Sequence, residues 1–124
     1  MIYTKMIGFV PTRDLNKARA FYEGLLGLRS VSEDEFAVVL DANGAVIRVT
    51  KATDFKPLPF TILGWQVADI SQAVSELGDK GIHFERYGMK EQDKRGVWTA
   101  PGGARVVWFK DLDGNVLSLT QFPT

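Results

Sequence analysis

The sequence predicts an α+β chain in which one plan, a strand, a helix and then three strands, is used twice. Three repeated signals carry that prediction. Asp14-Leu15 with Ala18 recurs as Asp69-Ile70 with Ala73 at an offset of 55 residues, and each aspartate stands where a helix N-cap belongs. Gly27 and Gly81 supply the stops of the two helical stretches. Asn43-Gly44 recurs as Asp113-Gly114 at an offset of 70, ahead of the closing strand of each half. The 15 residues by which the offsets differ fall in the longer loops of the second half.

In the first half, Tyr3 to Val10 is rich in β-branched and aromatic residues and reads as a strand, after which Pro11-Thr12-Arg13 leads to the cap Asp14. Apolar residues at Leu15, Ala18, Phe21, Tyr22, Leu25 and Leu26 keep the 3.6-residue period, so a helix is predicted over 15–26. A short strand at Leu28 to Ser32, a polar turn at Glu33-Asp34-Glu35, a strand at Phe36 to Leu40 and another at Ala45 to Lys51 follow. Pro57 and Pro59 keep Thr53 to Phe60 out of a helix or a central strand. The organisation expected is a single domain, 1–124, with module one at 1–52, a linker at 53–60 and module two at 61–124.

Module two repeats the plan. A strand at Thr61 to Val67 precedes a helix marked by Ile70, Ala73, Val74 and Leu77 and ended by Lys80-Gly81. Strands are then predicted at Ile82 to Tyr87, Val97 to Ala100, Arg105 to Lys110 and Val116 to Gln121. Asp111-x-Asp113-Gly114 lacks the 12-residue pattern and terminal glutamate of a calcium loop, so it reads as a tight turn. The run from Lys90 to Arg95 reads as a solvated loop, with a lid as the alternative.

Composition narrows the function. Fifteen basic and 15 acidic side chains cancel, leaving no basic stripe for nucleic-acid phosphates or an anionic membrane. Cysteine is absent, which removes disulfides, thiolate nucleophiles and iron–sulfur clusters. A single histidine, His83, rules out any site that needs two. No leader pattern opens the sequence and no apolar run nears the ~20 residues that span a bilayer, so a cytoplasmic protein is expected.

Two stretches, Asp14-Leu15-Asn16-Lys17-Ala18-Arg19-Ala20-Phe21-Tyr22 with Leu25-Leu26-Gly27-Leu28, and Trp108-Phe109-Lys110-Asp111-Leu112-Asp113-Gly114-Asn115-Val116-Leu117, resemble the vicinal oxygen chelate superfamily. That superfamily includes glyoxalase I, extradiol dioxygenases and bleomycin-resistance proteins, and it usually has proline where this chain has Leu112. The resemblance implies two paired βαβββ modules whose curved mixed sheets surround a cavity, with helices on the outer face, and a homodimer. Its metal enzymes take ligands from the first and last strand of each module. Counting from the caps and hairpin glycines puts Ile7, Arg48, Ile62 and Ser118 at those positions. None offers an imidazole or a carboxylate, and arginine has no acceptor, so neither a metal nor another cofactor is expected.

Strand alternation extends this set. Phe9, Val46, Thr50, Gly64, Gln66, Val116 and Thr120 share the face of Ile7, Arg48, Ile62 and Ser118, while Ile47, Val49, Leu63, Trp65, Val67, Leu117 and Leu119 form a uniformly apolar opposite face. The first face mixes polar and apolar groups, as a small-molecule pocket does, and carries no carboxylate on the strands that can be aligned. A wet or partner-covered sheet face is the alternative. Arg48 could grip a carboxylate, phosphate or enolate oxygen, or simply pair with a nearby acid. Trp98 and Trp108 are candidates for stacking a planar ligand, with a core role as the alternative. His83 and Glu85 share a face of their strand as an acid/base or two-ligand start, or lie on an exposed strand.

The leading expectation is therefore a metal-free protein of the glyoxalase and bleomycin-resistance type that binds a small planar or anionic molecule through Ile7, Phe9, Arg48, Thr50, Ile62, Gln66, Trp98, Trp108, Ser118 and Thr120. One alternative is a lyase, isomerase or dioxygenase with a displaced metal site or metal-free acid/base chemistry. The other is a protein-interaction module, which predicts an exposed apolar patch.

Overall fold

The computed structural model describes residues 1–124. The chain packs as two compact units, Met1–Lys56 and Pro57–Thr124. Unit one holds β1 (Ile7–Thr12), α1 (Leu15–Arg19) running straight into a π-helical stretch (Ala20–Leu25), β2 (Arg29–Glu33), β3 (Ala37–Ala42) and β4 (Ala45–Lys51). Their sheet order is β1-β4-β3-β2, with β1 parallel to β4 and the other pairs antiparallel. Unit two holds β5 (Thr61–Gln66), α2 (Ile70–Asp79), β6 (Trp98–Thr99), β7 (Arg105–Lys110) and β8 (Val116–Gln121) in the matching order β5-β8-β7-β6. The duplicated plan is thus present, and it forms two mixed sheets.

The caps read from sequence hold the helices. Asp14 Oδ1 accepts from the amides of Asn16 (3.0 Å) and Lys17 (3.1 Å), and Asp69 Oδ1 accepts from Gln72 N at 3.0 Å. Gln121 adds a cap from β8, its Oε1 accepting from Ile70 N at 2.8 Å. The first helix does not stay α-helical over 15–26. From Ala20 it widens, with Leu26 N donating to Phe21 O at 3.0 Å, and the turn buries Phe21 and Tyr22 edge to face at 5.1 Å. Each helix packs on one face of its own sheet, over Val10, Ile47, Val49 and Leu40 in unit one and over Val107, Phe109 and Leu117 in unit two.

Two strand assignments need correction. The first strand begins at Ile7 rather than Tyr3 and continues through Pro11 to Thr12; proline is tolerated because β1 is an edge strand. No strand forms over 82–87. The free edge of β7 is shared: β6 pairs with Arg105 and Val106, and the incoming segment has room only for a Phe84–Phe109 bridge, with Glu85 N donating to Trp108 O at 2.8 Å. The loop after it is solvated, as read from sequence, and is also fastened to its surroundings. Gln92 Nε2 donates to Glu85 O (2.9 Å) and Gly96 O (2.8 Å), its Oε1 accepts from Tyr87 N (3.0 Å), and Arg95 donates to Ser75 Oγ at 2.7 Å.

The tight turn at 111–115 is as read. Asp111 Oδ1 accepts from the amides of Asp113 and Asn115 at 2.9 Å each, and Gly114 takes φ 91°. At the other hairpin Asn43 and Gly44 sit at φ 55° and 96°, the conformation of a two-residue type I′ connection. No helix is long and apolar enough to cross a membrane.

Candidate functional site

Register decides which side chains share a face, because directly paired residues point the same way. In unit one Phe9 pairs with Arg48 and Arg48 with Val39; Pro11 pairs with Thr50 and Thr50 with Ala37. Ile7, Phe9, Arg48 and Thr50 therefore lie on one face, opposite the helix. Ile7 and Phe9 are 52% and 65% exposed, whereas Arg48 and Thr50 are half-buried. Asp41, opposite Val46, shares this face as well, so it does carry a carboxylate. That group is engaged by Arg29 at 3.6 Å and by the Gly44 amide at 3.1 Å.

In unit two Gly64 pairs with Ser118 and Gln66 with Thr120; Trp108 pairs with Ser118, Val106 with Thr120, and Trp98 with Val106. Gln66, Trp98, Trp108, Ser118 and Thr120 thus share one face, and the two tryptophans belong to it rather than to the core. Their rings lie 6.0 Å apart, and Tyr87 meets Trp108 edge to face at 5.4 Å. Gly64 is required by this packing: a Cβ there would fall 2.7 Å from Ser118 Oγ. Ile62 departs from the expected alternation. A bulge between Thr61 and Leu63 lets Thr61, not Ile62, pair with Val116.

Tyr87, Met89, Phe60, Pro59, Thr61 and Trp108 line an open recess of about 340 Å³ beside the tryptophan row. At its edge Glu85 Oε1 stands 3.5 Å from Lys110 Nζ, on the face that Lys110 shares with Trp108 through the register. Tyr87 is about half exposed, and the partial burial of its phenol raises it above its ordinary value, with the Glu85 charge adding to the rise and Lys110 offsetting part of it. His83 is exposed and belongs to no strand, so the His83 and Glu85 pairing on a strand face does not form. Sequence alternation named Glu85 but missed Tyr87, Met89 and the Glu85–Lys110 pair, because the strand expected over 82–87 does not form and its side chains do not alternate. An aromatic beside Gly88 was the one available hint.

No group of three or more His, Asp or Glu side chains gathers where it could hold a metal ion. At the positions where the resemblance puts metal ligands, Ile7 and Ile62 are hydrocarbon, Arg48 is a cation and Ser118 offers one neutral hydroxyl, a donor set that does not fit a divalent ion.

Fold and sequence together identify the class. The chain belongs to the Glyoxalase/Bleomycin resistance protein/Dioxygenase superfamily, whose model matches residues 5–119. Among solved structures it is similar to a superfamily member from Sphaerobacter thermophilus, at TM-score 0.78 and 23% identity over 97% of this chain and 98% of that one. It is also similar to lactoylglutathione lyase from Agrobacterium tumefaciens, at TM-score 0.74 and 17% identity over 98% and 95%. TioX from Micromonospora sp. ML1 is similar at TM-score 0.75 and 15% identity over 98% and 100%. A search of curated proteins finds no match.

Proposed function

We propose that the protein binds a small, planar, anionic molecule without the help of a metal ion. Two features carry the reading: an aromatic row, Tyr87–Trp108–Trp98, on the strand face that includes Ser118, and no imidazole or carboxylate at the four positions where the resemblance puts metal ligands. Aromatic faces attract flat ligands by offset stacking, and Ser118, Thr120 and Gln66 supply the few oriented polar groups such a surface needs. Homodimer formation, common in the superfamily, is supported by the exposed apolar Ile7 and Phe9; the cytoplasm is the compartment a cysteine-free chain suits.

The test is thermal unfolding of chelator-stripped protein with zinc, nickel, manganese and ferrous ions, and separately with a panel of planar carboxylates. A ligand at a hundredfold excess over its Kd stabilises by about 2.7 kcal/mol. The proposal expects no shift from the metals and a rise from at least one planar anion. An ion that binds at one per chain and raises the midpoint would overturn it.

A second reading, metal-free acid/base catalysis, is favoured by one observation, the Glu85 carboxylate beside Lys110 and Tyr87. Turnover of a bound ligand that Glu85→Gln abolishes without weakening its binding would select that reading.

A further inference from the structure

We infer that Arg48 and Thr50, both on the β4 face of unit one, form an oxyanion subsite that receives a small carboxylate. The inference goes beyond the aromatic row of unit two and stands on unit one alone. Arg13, Arg19, Arg29, Arg86, Arg95 and Arg105 each have a hydrogen-bond or ion-pair partner within the chain. Arg48, half-buried on a sheet face, has no hydrogen bond and no ion pair within 4 Å; its charge acts only at longer range, on Asp34. Two residues along the same strand and on the same face, about 7 Å away, Thr50 Oγ1 is buried with no hydrogen-bond partner.

The carboxylates near by are already engaged. Asp41 is held by Arg29 and the Gly44 amide, and Asp34 accepts from the amides of Phe36 (2.8 Å) and Ala37 (3.0 Å). The immediate neighbours in the sheet are Phe9, Val39, Pro11 and Ala37, which offer no side-chain acceptor. A guanidinium fork among apolar groups is complementary to an oxyanion, and the Thr50 hydroxyl, shielded from solvent in the unliganded chain, is reached once the side chains over it shift. One positive charge matches a carboxylate; a phosphate monoester near pH 7 would bring almost two charges against it. Arg48 also stands where the resemblance puts a metal ligand, so the charge is supplied there by the protein itself.

The experiment is calorimetric titration of the full chain with 1-naphthoate, its uncharged amide 1-naphthamide, acetate and inorganic phosphate, repeated on Arg48→Met, Arg48→Lys and Thr50→Val. The expected result is at least tenfold tighter binding of naphthoate than of naphthamide, a gap that Arg48→Met removes and Arg48→Lys narrows. Thr50→Val weakens naphthoate a few-fold and leaves naphthamide unchanged. Equal binding of the two naphthalenes, or a gap that survives Arg48→Met, overturns the subsite while the small-molecule reading stands. Phosphate binding more tightly than acetate at Arg48 overturns the assignment to a carboxylate. Acetate binding that Arg48→Met abolishes, with neither naphthalene bound, supports the subsite and removes the planar part of the reading; no binding of any probe overturns both.

Discussion

A buried hydroxyl without a partner costs about 1–3 kcal/mol, and Thr50 carries one. Valine has nearly the same shape without the oxygen, so Thr50→Val is predicted to stabilise the unliganded protein by about 1 kcal/mol, read as a higher urea midpoint at unchanged m-value. A loss of stability would mean that the hydroxyl makes a bond of its own in solution. Tyr87 makes a pH prediction. Its phenol is held above the ordinary value by burial first and by Glu85 second, so the folded state favours the protonated form. That contribution is present below pH ~10 and fades as pH rises through the folded value. Tyr87→Phe should therefore flatten the fall in stability between about pH 9 and 11; an equally steep fall in the variant would refute it. Arg48 and Ser118 were legible from sequence because each lies a fixed count after a hairpin glycine. Tyr87 was not, and Glu85 was read only with the wrong partner, His83, because the strand expected over 82–87 does not form and its alternation does not hold.

Elements were legible where local chemistry and tertiary packing agree, as in β4, bounded by a type I′ turn and a charged residue, and in α2, bounded by Asp69 and Gly81. They failed where a neighbour's edge had to be shared. The 82–87 segment has strand composition, yet β6 occupies part of the β7 edge and leaves it a single bridge. What fixes this segment is Gln92, whose amide makes three hydrogen bonds, to Glu85 O, Gly96 O and Tyr87 N. Gln92→Ala is predicted to cost about 1–3 kcal/mol and to speed amide exchange at Tyr87 while leaving α2 protected. Uniform loss of protection across unit two would show instead that the loop is part of one cooperative core.

Across the chain, the two halves keep the same register as well as the same order: Phe9 faces Arg48 as Gly64 faces Ser118, which satisfies both sequence offsets at once. Divergence is concentrated on the mixed faces. One half has an arginine without a hydrogen bond and a buried hydroxyl there; the other has a glycine, a serine and an aromatic row. The helix-covered faces stay apolar in both, so the duplication conserves the packing surface and leaves the other surface to specialise.

The most direct test of ligand binding on that surface uses the three tryptophans of the chain. Trp98 and Trp108 share the face of Ser118, while Trp65 pairs with Leu119 and faces the other way. Indole N–H signals of nitrogen-15-labelled protein, followed by NMR during titration with 1-naphthoate, should move for Trp98 and Trp108 and stay fixed for Trp65. A shift confined to Trp65, or naphthoate binding that moves none of the three, would contradict the account.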